Sequence, residues 1–576
     1  MTAKLLLEDE VSAGEAIVRV LIDAGIDAVF GMPGGYTFAI FDALRDHSDQ
    51  IRTVLVREEA RAGVMAEVYG RLTGRPGVAI GQGAFLIHAS LGALEGHLSS
   101  SPMLLLGDLS DNAPFSQHGP YQSGTGEYGG WDARATFSGF TKDAIVASTP
   151  AHAAHSTQLA IKAACSGEPG PVAVLFHSQS LRGKVNPSAR PALYAVGATL
   201  SELGARRADE ASVEAAAAHL LRAERPVILA GNGVRLGRAA TEVARLAEAI
   251  GAPVATTAAG KGCYPETGPW ALGVCGNFGT PLANAVVGAA DVVLVVGSKL
   301  APTDTAMANP ALFDPRRQTI IQVEIEPRNA GWTMPVDVAL IGQAKAVLEQ
   351  LLDAVGEVPE RRLRDAADLL GKARADHGHF DAAELHSDAV PILPQRVIGE
   401  LARSIGDDAI VCCDAGENRI FMTHYFQTRS PDSFVQPAGV GGMGYAIPAA
   451  LAAKVVRPNH SVVAVCGDGG FAIGMNGLMT ALEEQLPIVV VVLNNQALGW
   501  VKHGQRDRPI ACDFREFDHA AIARAMGCGG IRVEKPDELG PALKRARESG
   551  EPTVVDVRTS LSETYERVTS PLMRRG

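Results

Sequence analysis

Three consecutive α/β domains, each built on a parallel sheet flanked by helices, are predicted for this chain by three observations. The chain has 576 residues, more than one hydrophobic core supports, and three units of about 190 residues suit the usual domain size. From Glu15 onward, short apolar runs alternate with helix-like stretches, the form taken by strands buried on both faces of a parallel sheet. Two stretches, one rich in Pro, Gly, Ser and Ala and one polar and helical, interrupt the alternation and divide it in three.

The first block, residues 1–190, contains the strand-like runs "DAVFGMPGG", "TVLVREE", "GVAIGQG", "MLLLGD" and "VAVLFH". Around Gly183 to Arg207 the pattern lapses into "GKVNPSARPALYAVGATLSELGARR", rich in residues that break regular structure, which reads as a linker. The second block, 208–356, carries "PVILAGNG", "PVATTA", "DVVLVVGSK" and "TIIQVEIEP" and closes with the helical run "AKAVLEQLLDAV". A polar helical connector from Glu357 to about His386 leads to the third block, 387–576, with "DAIVCCDAG", "SVVAVCGDGG", "PIVVVVLNN" and "PTVVDVRTS".

Hydrophobic residues make up 47% and charged residues 20% of the chain, the balance of an ordinary globular protein. A net charge of −12 provides no basic field for phosphate backbones, so small-molecule substrates are expected and nucleic acid is not. The eight cysteines show no C-x-x-C spacing, which argues for reduced, mostly buried thiols rather than zinc ribbons or a disulfide framework. The acidic N-terminus lacks the marks of a signal peptide, and no apolar run approaches the roughly 20 residues that cross a bilayer. A cytoplasmic protein without a membrane anchor is the expectation.

Chemistry concentrates in "CGDGGFAIGMNGLMTALEEQLPIVVVVLNNQ", residues 466–496. Asp468 and Asn495 each follow an apolar strand, and 24 residues lie between Gly469 and Asn494, enough for a helical crossover that returns the second strand parallel to the first. In such sheets ligands bind beyond the carboxyl ends of the strands. A carboxylate beside a neutral amide oxygen suits Mg²⁺, which keeps oxygen ligands and bridges to phosphates. Glycines here let backbone approach a diphosphate closely. Gly-Asp-Gly alone is more often a tight turn; the pair at this spacing is what carries the assignment.

That pair resembles the fingerprint of thiamine diphosphate-dependent enzymes, Gly-Asp-Gly followed by Asn-Asn. The resemblance implies Asp468, Asn495 and the carbonyl of Ala497 as Mg²⁺ ligands, with Gly467 and Gly469 beside the cofactor. It also implies a first-domain glutamate that hydrogen-bonds the aminopyrimidine ring. "VREEARAGVMAEVYGRLTGRPGVAI" is similar to the family segment that carries it, and alignment of the downstream E-x-Y-x-R-x-T-G puts Glu59 on the catalytic position. "GVGGMGYAIPAALAAK" resembles the segment whose Met443 wedges between the two cofactor rings, a role suited to a polarisable, adaptable side chain. "CDAGENRIFMTHYF" resembles the diphosphate-side loop, which brings Asn418 near the cofactor. "VFGMPGGYTFAIFDAL" resembles the first-domain turn of acetohydroxyacid synthases and includes Gly34. In relatives the middle domain holds FAD, ADP or nothing. Here "AGNGVRLG" keeps glycines, but "VVGSKLAPTDTAM" lacks the Asp-Arg pair that engages FAD, so a flavin is not favoured.

The likeness breaks on the substrate side. Glu58 stands where acetolactate-type synthases have His, and "GQGAFLIH", with Gln82, Phe85 and His88, replaces "S-G-P-G-A-T-N". The segment "SDNAPFSQHGPYQSGTGEYGGWD" is long and polar, with Gln122 at the position of a family glutamine. Gly34, Gln82, Phe85, His118, Gln122 and Trp500 are the expected substrate contacts, with Glu127 a further one. "NNQALGWVKHGQ" follows the acetolactate synthase pattern, yet Gly504 replaces the tryptophan of 2-oxobutyrate-preferring relatives. The resemblance implies decarboxylation of a 2-oxo acid such as pyruvate and its carboligation to a second carbonyl compound, by a homodimer or homotetramer. The alternatives are a 2-hydroxyacyl-CoA lyase or oxalyl-CoA-like decarboxylase, with Arg567, Arg574 and Arg575 meeting the CoA phosphates, and a non-catalytic homologue. The presence of Glu59, Asp468 and Asn495 speaks against the last.

Overall fold

Continuous Val/Ile/Leu runs that bury both faces have to be covered by helices on both sides, and the computed structural model shows three such sheets. It describes residues 4–111, 121–188, 190–195, 197 and 206–569. Each sheet has six strands, all parallel. The fold class read from the sequence is the one observed.

The first sheet runs Arg52–Leu55, Ala28–Gly31, Gly77–Gly81, Met103–Asp108, Pro171–Phe176, Asp143–Ala147. The third runs Phe434–Val435, Ile410–Cys413, Val462–Gly467, Val489–Asn494, Thr553–Arg558, Gly529–Val533. Numbered along the chain, both have the order 2-1-3-4-6-5. The middle sheet runs Ala271–Val274, Val254–Thr256, Pro226–Ala230, Val292–Val296, Thr319–Glu324, Val338–Ile341, the order 3-2-1-4-5-6 of a doubly wound dinucleotide-type fold. In every sheet the loops that follow the strands gather at one edge, where side chains of different strands can meet.

Contacts divide the chain into two compact units. One comprises residues 1–204 with 451–458 and 479–485; the other holds the remainder, including the middle and third sheets. The stretch read as a linker is partly built into the first unit: Lys184–Val185 pairs antiparallel with Val11–Ser12, and Tyr194 bridges to Leu5. Backbone polar groups of the two chain segments satisfy one another, which composition alone does not reveal. The connector helix Glu360–His377 is polar as expected and buries only Leu370. Seven of the eight cysteines are buried and none is in a disulfide. Among the described residues, no helix is long and apolar enough to cross a membrane.

The helix Glu59–Thr73 deserves its glycines. It is buried on nearly every face, and it packs on the helix Ser90–Ser99 so closely that a Cβ on Gly92 would fall on the backbone of Gly63. It ends at Gly74, whose φ of 70° is a left-handed conformation that glycine adopts without strain. Inside this packing Arg71 is 1% exposed and bonds Glu67 at 2.8 Å, Glu95 at 3.0 Å and the Ser99 hydroxyl at 3.1 Å. Replacing the guanidinium leaves two buried carboxylates without their cation, a loss of about 3–5 kcal/mol. Arg71→Met is therefore expected to lower the urea midpoint of unfolding sharply, whereas a wild-type midpoint would contradict the network's structural role.

Candidate active site

Strands Val462–Gly467 and Val489–Asn494 are parallel neighbours with Gly467 opposite Leu493, so the residues that follow emerge side by side. Asp468 is 5% exposed. Its carboxylate accepts the N–H of Gly469 at 2.9 Å and, across the gap, the N–H of Gln496 at 2.7 Å. Gln496 has φ 61°, a left-handed conformation that is costly for a residue with a Cβ and that the Asp468 bond holds in place. Asn495 Oδ1 accepts the N–H of Ala497 at 3.1 Å. From the other side the turn is tied down by Leu498 N–H to Cys512 O at 2.7 Å and Phe514 N–H to Gln496 O at 2.8 Å. One tight turn thus brings the Asp468 carboxylate, the Asn495 carboxamide and the Ala497 backbone together. Burial pushes Asp468 up to about 6, against the pull of its backbone donors; a cation placed beside it would favour the charged form.

The two asparagines have different work. Asn494 is buried and donates to Asp556 Oδ1 at 3.0 Å and to Phe517 O at 3.1 Å, so it belongs to the sheet and not to the turn.

Asp414, which follows the strand Ile410–Cys413, was not singled out in the sequence although it obeys the same rule of a carboxylate at a strand end. It is 1% exposed and accepts the N–H groups of Ala415 at 2.9 Å, Gly444 at 2.9 Å and Ala446 at 2.8 Å. It thereby fixes the loop that carries Met443. A Cβ on Gly470 would stand 2.8 Å from Asp414 Oδ1, and one on Gly469 2.8 Å from the Met443 methyl, which would have to shift aside. Burial pushes Asp414 up to about 6. Asn418 is buried and donates to Asp414 O at 3.1 Å, which sets it beside Gly467. Beneath this loop lies a cavity of about 130 Å³ lined by Phe278, Thr303, Arg419, Gln436 and Val440 among others.

A second unforeseen group is the pair Glu417 and His503, joined at 2.6 Å. Glu417 also accepts the Tyr565 N–H at 3.0 Å, and His503 Nε2 meets Leu561 O at 3.0 Å. Burial outweighs the histidine and holds the Glu417 carboxyl above its ordinary value. Trp500, expected to meet substrate, stacks on Tyr565 at 4.2 Å and meets Phe278 edge-on at 5.9 Å. Gly504 faces the Tyr565 hydroxyl.

At the carboxyl edge of the first sheet, Glu59 opens its helix and is 8% exposed, its side chain alongside Gly81. His88 Nδ1 lies 4.0 Å from Glu59 Oε2. Gln82 and Gln122, separated by 40 residues, are hydrogen-bonded to each other; Gln122 has φ 80°, and the Trp131 indole donates to its carbonyl at 2.9 Å. Gly34 faces the Gln82 amide. Asp108, at the end of the strand Met103–Asp108, organises the group by accepting the N–H of Tyr36 at 2.7 Å and of Gly83 at 3.0 Å. Burial holds its carboxyl above the usual aspartate range. Phe85 and Glu127 are exposed. His118 lies outside the described residues.

Among the described residues no three His, Cys, Asp or Glu side chains cluster as a metal site.

Three protein-family descriptions match in the order of the three sheets: thiamine pyrophosphate enzyme, N-terminal TPP binding domain, over residues 11–125; central domain, over 213–351; and C-terminal TPP binding domain, over 414–557. A probable acetolactate synthase large subunit of Methanocaldococcus jannaschii is 31% identical, covering 94% of this chain and 91% of its own length. The acetolactate synthase large subunit of Corynebacterium glutamicum is 30% identical over 95% of this chain and 87% of its own. Isozyme 3 of the same subunit from Escherichia coli is 30% identical over 93% and 92%. The chain belongs to the acetolactate synthase-like thiamine pyrophosphate enzymes. It is therefore an enzyme that takes thiamine pyrophosphate, also called thiamine diphosphate, as cofactor. The two family models for cofactor binding include Glu59 on one side and Asp414, Asn418, Met443, Asp468 and Asn495 on the other.

The sheet beneath the turn has its own acid sensitivity. Asp556 is fully buried and bonded to Asn494, the His519 N–H at 2.9 Å and Arg532 at 2.8 Å. Burial alone would raise it, but these partners hold it below its ordinary value of 3.8. A depressed native value means stability that is complete above 3.8 and is lost as pH falls through the native value. Asp556→Asn should lower the thermal unfolding midpoint at pH 7, and the gap from wild type should close below 3.8. Parallel curves across that range would refute the linkage.

Proposed function

We propose that the enzyme decarboxylates a 2-oxo acid such as pyruvate and joins the remaining carbons to a second carbonyl compound, as the names of its relatives suggest. The observation that carries the reading is the turn in which Asp468 braces Asn495 and Ala497 at adjacent strand ends. In this reading residues 1–190 bind the aminopyrimidine, 208–356 form the central domain and 387–576 bind the diphosphate. Asp468, Asn495 and the Ala497 carbonyl would hold Mg²⁺. Gly467, Gly469 and Asn418 would border the diphosphate, and Met443 would support the ring system. When bound, the cofactor would supply a carbon nucleophile that adds to the substrate carbonyl and a cationic ring that takes up the electron pair left by decarboxylation.

Glu59 would hold the proton exchanged with the aminopyrimidine, and its near-complete burial would limit competition from water. Because the family places this glutamate against the diphosphate site of another subunit, a homodimer or dimer of dimers follows. In the first unit Gly34, Gln82 and Gln122 are the proposed polar contacts of substrate and the exposed Phe85 an apolar one; in the second, Trp500, stacked on Tyr565, is the proposed apolar contact. A flavin in the central domain draws no support: Cβ atoms on Gly231 and Gly233 would strike the backbone of Gly297, so those glycines serve internal packing. Arg235 is likewise spent on Asn232, Lys261 O, Phe434 O and Asp432. The acyl-CoA alternative is the weaker reading, since Arg567 is paired with Glu563 at 2.6 Å and Arg574 and Arg575 lie outside the described residues.

Two measurements test this. Titration of thiamine diphosphate with Mg²⁺ should saturate wild-type protein and Glu59→Gln, while Asp468→Ala binds poorly; on the loaded enzymes, Glu59→Gln should lose about 100-fold or more in turnover. Loaded wild-type enzyme given pyruvate should release carbon dioxide and form acetolactate or a related ligation product. Turnover only with an acyl-CoA, pyruvate being inert, would replace the proposal by the alternative.

A further inference from the structure

The pair Asp111 and His177 lies on the same rim of the first sheet as Glu59 and the Gln82–Gln122 contact, and neither residue has a part in the function proposed above. Strands Gly77–Gly81, Met103–Asp108 and Pro171–Phe176 are successive parallel neighbours, with Gly81 opposite Gly107 and Asp108 opposite Phe176. Glu59 packs against Gly81 at the end of the first, Ser110 and Asp111 follow the second, and His177 follows the third. His177 thus stands two strand spacings, roughly 10 Å, from the strand end at which Glu59 sits. Between them the Gln82 amide donates to the Ser110 hydroxyl at 3.4 Å.

Asp111 is 2% exposed, and its carboxylate receives two donors: the Ser178 N–H at 2.6 Å and His177 Nδ1 at 3.0 Å. Burial alone would raise its carboxyl, but the imidazole and the backbone N–H hold it below the ordinary aspartate value. An ionised carboxylate only accepts, so the proton of neutral His177 resides on Nδ1 and the lone pair on Nε2. The His177 side chain is 25% exposed, and Nε2 meets no polar partner among the described residues. A buried carboxylate that orients an imidazole and stabilises its cation, with the second nitrogen turned outward, is the arrangement by which histidines are made into acid–base catalysts.

We propose that His177 is a catalytic residue of the carboligation, acting on the oxygen of the carbonyl that accepts the new carbon–carbon bond, with Asp111 as its positioning residue; this rests on the function proposed above. As the bond forms at the acceptor carbon, the C=O π pair moves to oxygen, and that oxygen takes the proton from Nε2–H of the imidazolium. Asp111 holds Nδ1–H throughout, and neutral His177 regains its proton from solvent. In the cleavage direction the same Nε2 removes the hydroxyl proton.

Two substitutions separate chemistry from architecture. His177→Asn places an amide N–H where Nδ1–H was, keeping the Asp111 bond, but has nothing at the Nε2 position; His177→Gln does the reverse. With thiamine diphosphate and Mg²⁺ loaded and pyruvate as substrate, His177→Asn should lose about 100-fold or more in kcat. Its cofactor affinity and thermal midpoint should match wild type. Asp111→Asn, whose amide can present a donor to Nδ1 and invert the tautomer, should lose turnover as well. Wild-type kcat in His177→Asn would overturn the assignment. A ¹⁵N-histidine spectrum of the wild-type holoenzyme tests it without substitution: Nδ1 should be protonated and the Nε2 resonance should move when pyruvate is added, and an unmoved Nε2 would count equally against it. Failure of wild-type protein to bind thiamine diphosphate would instead remove the function on which the inference rests.

Discussion

A carboxylate buried at the end of a parallel strand must find N–H donors, and this chain meets that demand by taking them from the neighbouring loop. Asp468 takes the N–H of Gln496, Asp414 those of Gly444 and Ala446, Asp108 those of Tyr36 and Gly83, and Asp111 that of Ser178. Each bond crosses from one strand end to the loop that follows another strand. Loops that would otherwise be free at the sheet edge become fixed relative to one another, because an unpaired buried carboxylate costs far more than the bond it forms. The positions of Asn495, Ala497, Met443 and Gln82 all depend on these crossings.

Fixing loops in this way stores strain at the points that matter for chemistry. Gln496 and Gln122 sit in the left-handed region, and each is held there by a bond from another segment, Asp468 and Trp131 respectively. Asp468 and Asp414 carry charge that burial disfavours, with both pushed up to about 6. A protein optimised for stability alone would avoid both features; a site of the kind proposed above, for a cation and a diphosphate, gains from having its dipoles set before the ligand arrives.

The first and third sheets share one strand order, and both present carboxylates at the same edge. The middle sheet has a different order and uses its strand-end glycines for internal packing. Glycine-rich turns therefore carry different meanings in the one chain: Gly469 and Gly470 lie against Met443 and Asp414, whereas Gly231 and Gly233 lie against Gly297 and Ser298 of the neighbouring strand end.

Local sequence was sufficient for the three parallel sheets, because strands buried on both faces must read as unbroken apolar runs, and for the Asp468 and Asn495 pairing, because a crossover of that length returns the chain to the adjacent position. The choice of Glu59 over Glu58 rests instead on the resemblance of the downstream E-x-Y-x-R-x-T-G to the family segment. Only the tertiary structure decided which side chains meet across strands that are distant in sequence. Asp414 with Gly444, Glu417 with His503, Gln82 with Gln122 and Asp111 with His177 are 30, 86, 40 and 66 residues apart. The two asparagines of Asn-Asn, alike in sequence, were told apart by the alternation of a strand: one side chain enters the sheet and bonds Asp556, and the next falls beyond the last paired residue and is left to the turn.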